Sequence, residues 1–92
     1  MRVKVSFGRA KRKANLVKHG LDLADAAELL SGPCLERLDD RHDYGEDRWI
    51  SVGLFRGGVV ACVWADWGDT ARIISLRKAD KDEEEEWFKA FH

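Results

Sequence analysis

The segment from Arg48 to Lys78 constrains this chain more than any other. It reads "RWISVGLF", "RGG", "VVACVWAD", "WGDT", "ARIISLRK". Three strand-length runs are separated only by turn-length linkers, and connections that short join antiparallel neighbours. In the first run Ile50, Val52 and Leu54 alternate onto one face. The glycines of "RGG" accept the positive φ that a tight hairpin demands. The second run is almost wholly apolar, which predicts a central strand buried on both faces. A meander is therefore the frame on which the rest must pack.

Before it, "RVKVSF" alternates Val3, Val5 and Phe7 with polar residues and reads as a half-buried strand. "GRAKRKANLVKHG" predicts a helix over about Ala10 to Lys18. Its apolar positions are Ala10, Ala14, Leu16 and Val17, and Gly20 is its stop. "LDLADAAELLSGP" predicts a second helix, with Asp22 and Asp25 as a capping-box-like start. Leu23, Ala26, Ala27 and Leu30 form its apolar stripe. "CLERLD" is a weak strand, and "RHDYGED" a polar connection. "DKDEEEEWFKAF" predicts a last helix, capped by Asp80 and Glu83 and docked through Trp87, Phe88 and Phe91. The order is β-α-α-β-β-β-β-α. It defines one α+β domain over residues 1–92, an antiparallel four- to five-stranded sheet with helices packed on one side.

Several function classes fall away. No apolar run approaches the roughly 20 residues that span a bilayer. The basic start lacks the apolar segment and cleavage site of a secretory signal, so the expected location is cytoplasmic, with no membrane role. Cys34 and Cys62 have no metal or redox spacing and read as reduced, half-buried hydrophobes. His19, His42 and His92 are scattered, so neither a metal nor a cofactor is expected. There is no phosphate-binding glycine loop or nucleophile elbow, and Ser75 lies inside a strand pattern.

The formal net charge is only −1, but it is unevenly distributed. Met1 to Leu21 holds cations and no acidic residue, whereas "DKDEEEEWFKAFH" is strongly acidic. The first third can face an anion such as a phosphate backbone, or the two ends can be oppositely charged solvated faces. Lys18, His19, Arg48, Arg72, Arg77 and Lys78 are the candidates for chemistry, with Tyr44 as a stacking platform. Gathered on an open sheet face, the cations would hold an RNA phosphate and stabilise a pentacovalent transition state. A histidine titrating near neutrality suits the proton transfer when the RNA's own 2′-hydroxyl attacks, and no metal is needed.

Each residue also has a purely structural role open to it. Arg72 can pair with a carboxylate across the ladder, and Arg48 with Glu46 or Asp47. Arg77 and Lys78 can neutralise the glutamate-rich helix. Tyr44 can anchor a loop, and Trp64 and Trp67 can be core and rim residues. His19 suits the negative end of a helix dipole whatever its function.

"KANLVKHGLDLADAAELL", "DDRHDYGEDRWISVG" and "RIISLRKAD" together resemble the BrnT family of type II toxin–antitoxin toxins, over about Phe7 to Glu85. The matching motifs are N-x-x-K-H-G, D-x-R-x-x-Y-G-E-x-R and R-I-I-S-x-R-K-A. The resemblance implies a RelE-like fold and a ribonuclease toxin that inhibits translation. Because these residues fall together in the three motifs, His19, Arg48, Arg72 and Arg77 are expected in catalysis and Lys18, Lys78 and Tyr44 in RNA binding. The resemblance also implies a BrnA-like ribbon-helix-helix antitoxin in a 2:2 complex, with operator DNA contacted only through that antitoxin. The chain departs from the family at "SFGRAKRK", where Gly8 and Arg9 replace the usual Asp-Pro start of the first helix. Leu76 replaces a common alanine, and the last helix is unusually acidic. A catalytically inactive module that binds the antitoxin as a co-repressor is the alternative.

Overall fold

The computed structural model describes residues 3–40 and 45–91. Strand β1 (Val5–Ser6) leads into helix α1 (Arg9–His19). A single 3-10 turn (Leu23–Asp25) then runs into the short helix α2 (Ala26–Leu30). Strands β2 (Cys34–Leu38), β3 (Arg48–Phe55), β4 (Gly58–Asp66) and β5 (Ala71–Lys78) precede helix α3 (Lys81–Phe91). The sheet order is β1-β5-β4-β3-β2, so β4 is central, as its unbroken apolar run requires.

Strands β2 to β5 form the expected antiparallel meander. The sheet is nevertheless mixed, because β1 pairs parallel to β5 through Val5–Ala71 and Ser6–Arg72. The chain leaves β1 through α1 and α2 and re-enters the sheet at its far edge. That leaves β1 beside the last strand rather than its sequence neighbour.

The helices also do not share one side. Along β4, Val60 and Cys62 pack beneath Leu23, Ala26 and Leu29 of the 3-10 turn and α2. Val59, Ala61 and Val63 point the other way and meet Trp87 of α3. A strand apolar at every position presents two greasy faces, and each one needs its own cover. Leu23, Leu29, Ile73 and Leu76 are among the largest fully buried side chains. Each contributes about 1.5–3 kcal/mol by leaving water.

Helix α3 starts as its sequence predicts. The Glu83 amide donates to Asp80 Oδ1 at 2.8 Å, and the Asp80 amide donates to Glu83 Oε1 at 2.9 Å, a reciprocal capping box. Trp87 is its buried anchor, with the indole N–H donating to the Pro33 carbonyl at 3.1 Å. Phe88 and Phe91 pack against Trp87 but stay half-exposed, so one aromatic rather than three docks the helix. The second helix is shorter than its pattern suggests, and it has no capping box. Asp22 instead accepts from the Ala24 amide, which tightens the start into the 3-10 turn.

Helix α1 departs most from expectation. Leu16 is half-exposed, Val17 is 82% exposed, and the buried residue of the helix is Asn15. Strand β1 covers β5 only as far as Arg72, so the outer backbone edge beyond it lacks a strand partner. Asn15 fills this gap. Its Nδ2 donates to the Leu76 carbonyl at 3.0 Å and to the Leu21 carbonyl at 2.9 Å. The Leu76 amide donates back to Asn15 Oδ1 at 3.1 Å. One side-chain amide thus replaces one peptide unit of a missing strand. Arg12 adds a two-pronged pair to Asp22, at 2.8 and 2.9 Å. Hydrogen bonds from Arg12 and from the Ala24 amide hold the Asp22 carboxyl at about 2. Gly20, at φ +69°, ends the helix by closing its N–H on the Leu16 carbonyl.

Candidate functional site

The site begins with a break in the β4–β5 ladder. Trp64 pairs with Ile73 and Val63 with Ser75, so Ile74 is an extra residue in β5. In a regular strand Arg72 and Arg77, five positions apart, point to opposite faces. The bulge inverts the alternation once. Arg72 pairs with Ala65, Ser75 with Val63 and Arg77 with Ala61, all on the α3 side of the sheet.

Arg48 joins them there, because it too pairs with Ala65. Ser6, Arg72, Ala65 and Arg48 form one row across four strands, in which the fully buried Ala65 makes room for the arginines on either side. Glu46 ties this end together. Its Oε2 lies 3.6 Å from Arg48 Nε, and its Oε1 accepts the Trp67 indole N–H at 3.2 Å. The Arg72 guanidinium lies over the Trp67 ring, 5.0 Å from its centroid. Arg48 therefore has the local carboxylate partner that its sequence allows, whereas Arg72 rests on an aromatic ring.

Farther along β5 the same face runs into a groove of about 170 Å³. Lys11, Lys18 and His19 of α1 line it, with Ile74 and Ser75 as its strand wall. Among the described residues, no hydrogen bond or ion pair engages the side chain of Lys18 or His19. The Asn15 amide fixes the angle of α1, and Gly20 ends it with His19 at the groove. Lys11 was not singled out in the sequence, although Lys11, Asn15 and Lys18 follow helical spacing and so share a face. Ser75 owes its place to the bulge, which a strand pattern does not reveal.

Arg77 is differently employed. Its Nη1 and Nη2 donate to Glu83 at 2.7 and 3.1 Å, and Arg37 Nη2 donates to the same carboxylate at 2.9 Å. Burial pushes the Glu83 carboxyl up, but hydrogen bonds from Arg77, the Asp80 amide and Arg37 outweigh it and hold it at about 2. Arg77 thus fastens α3 to the sheet. Lys78 pairs with Val60, which places it on the opposite face, beside α2. Tyr44 and His42 lie outside the described residues. Cys34 and Cys62 are free thiols, and burial pushes Cys34 up to about 11 and Cys62 higher still, which makes them poor nucleophiles. A larger cavity of about 320 Å³ lies elsewhere, between Lys4, Trp64 and Asp69, without a comparable set of cations.

One face of the sheet thus carries Arg48 and Arg72 at one end and meets the groove of Lys11, Lys18 and His19 farther along β5. Cations gathered on one face of a small α+β domain raise the local positive potential and attract anions. Residues 7–83 match the model of a protein family, described as the ribonuclease toxin, BrnT, of type II toxin–antitoxin systems. The chain belongs to this family of ribonuclease toxins, whose system pairs each toxin with an antitoxin. No curated protein matches the chain.

Proposed function

We propose that this chain is an endoribonuclease that cleaves RNA through the substrate's own 2′-hydroxyl, without a metal, and so inhibits translation in the cytoplasm. The observation that carries this reading is the placement of Lys18 and His19 in one groove walled by Ile74 and Ser75 of β5, the strand that also carries Arg72, on the face of the sheet shared with Arg48. Arg72 and Arg48 hold the RNA phosphates, and Lys18 adds charge beside the reacting one. His19, as general base, takes the proton from the 2′-oxygen as that oxygen attacks phosphorus. The bond from phosphorus to the 5′-oxygen breaks, and water protonates the departing oxygen. The products are a 2′,3′-cyclic phosphate and a 5′-hydroxyl end. The cations stabilise the charge that builds on the pentacovalent phosphorane. Arg77 is assigned to holding α3, and Lys78 to the far face. Tyr44 keeps its proposed stacking role.

The β-α-α-β-β-β-β-α order supports the RelE-like reading of the fold. For the partner we propose a BrnA-like ribbon-helix-helix antitoxin in a 2:2 complex, which alone contacts operator DNA. A second reading, an inactive toxin-like module kept as a co-repressor, is favoured by one feature, the engagement of Arg77 by Glu83.

A single substitution separates catalysis from helix capping. His19→Gln is expected to lower the cleavage rate of purified protein by about 10²–10⁴-fold with an unchanged melting temperature. A lowered melting temperature with cleavage intact assigns His19 to capping. A folded wild type that cuts no RNA supports the co-repressor reading.

A further inference from the structure

Trp67 belongs to neither core and is the most exposed of the large aromatics among the described residues. It sits in the turn between β4 and β5 and is 52% exposed. An exposed indole normally moves, but this one is held at several points. Its amide donates to the Thr70 carbonyl at 3.0 Å. The turn is closed by the Gly68 amide on Asp66 Oδ1 at 2.9 Å, with Gly68 at φ +82°. The indole N–H is fixed on Glu46, and the Arg72 guanidinium lies over the ring. An aromatic plate fixed before a ligand arrives loses little entropy when it binds.

Its neighbours indicate what the plate would hold. Arg72 touches the ring directly, and Arg48 is joined to it through Glu46. A flat apolar ring among guanidinium groups matches a ligand that carries a flat π-system and an anion within one unit. A nucleotide is such a ligand. In a duplex both faces of each base are already stacked, so only an unpaired base can lie on the indole.

We propose that Trp67 is the stacking platform for an unpaired nucleobase of the RNA, placing its phosphate against Arg72 and Arg48, and that it restricts this face to single-stranded substrate. The inference rests on the ribonuclease reading of the same face. Trp67 acts as a positioning residue, through the register of the RNA, and has no part in proton transfer.

The test uses the full chain with a single-stranded oligoribonucleotide that carries 2′-O-methyl groups, so that binding is read apart from cleavage. Trp67→Ala is expected to weaken binding about tenfold or more, and Trp67→Phe, which keeps a ring but loses the N–H, only about threefold. A duplex of the same sequence binds weakly to all three proteins. In wild type, the Trp67 indole resonance shifts upfield as the oligonucleotide is added, and this readout does not depend on a variant folding. Binding by Trp67→Ala within about twofold of wild type, or a stationary Trp67 resonance, overturns the inference. So does intact RNA binding with lost antitoxin binding, which assigns the ring to the protein partner. Cleavage decides the other question. Wild type that binds through Trp67 but cuts nothing ends the ribonuclease reading and leaves the platform standing.

Discussion

Helices α1 and α3 are both eleven residues long, yet they are attached in opposite ways. Helix α3 is acidic, with a buried indole and a buried carboxylate under it and a reciprocal cap at its start. Helix α1 is basic, and it holds on through one asparagine and one exposed ion pair, with its aliphatic residues facing water. The first arrangement yields stability. The second leaves Lys11, Lys18 and His19 lining a groove beside the strand edge.

The contrast can be broken from either side. The largest effect is expected at Trp87→Ala, which removes the anchor of α3 from its core. It should cost about 3–5 kcal/mol in urea denaturation. Next is Glu83→Gln, which leaves Arg37 and Arg77 without their carboxylate and weakens the cap, at about 3 kcal/mol. The same group sets an acid limit. Its folded pKa, about 2, lies below the ordinary 4.5, so its contribution is complete above about pH 4.5. That contribution fades as pH falls toward 2, and melting temperature followed from pH 6 to 2 should fall over this window in wild type. In Glu83→Gln this part of the decline should be missing.

Asn15→Ala is expected to cost about 2–3 kcal/mol by orphaning the Leu76 amide and carbonyl. It sharpens the comparison, because the Leu76 amide should lose hydrogen-exchange protection and RNA cleavage should fall more than stability explains. The smallest effect is expected at Val17→Ser. Its side chain is 82% exposed, so unfolding free energy should change by less than about 0.5 kcal/mol.

What could be read from the sequence follows the same divide. Alternation and turn residues revealed β3, β4 and β5, and Asp80 with Glu83 revealed the start of α3, because these signals are local. The parallel pairing of β1 was not legible, since two residues of strand carry no periodicity. Nor was the second covered face of the sheet. The apolar run of β4 announced it, but nothing local says which helix lies on which side. In α1 the apolar residues misled and the polar Asn15 mattered, because its partners lie 61 positions away at Leu76. At the candidate site the cation types were legible in sequence. Glu46 for Arg48 and the acidic helix for Arg77 were among the partners the sequence offered, but the seat of Arg72 on Trp67 required the fold.

The extra residue at Ile74 behaves like a frameshift written in three dimensions. Upstream of it β5 keeps one phase of in and out, and downstream it keeps the other. Removing that residue would leave Ser75 opposite Val63 and Arg77 opposite Ala61, on the same face as Arg72. Keeping Ile74 but flattening the bulge into regular pleat would instead turn the downstream part half a turn about the strand, carrying Ser75 and Arg77 to the α2 side and Arg77 away from Glu83. At that point the interruption of the pleat therefore decides where side chains face as much as the identity of any of them.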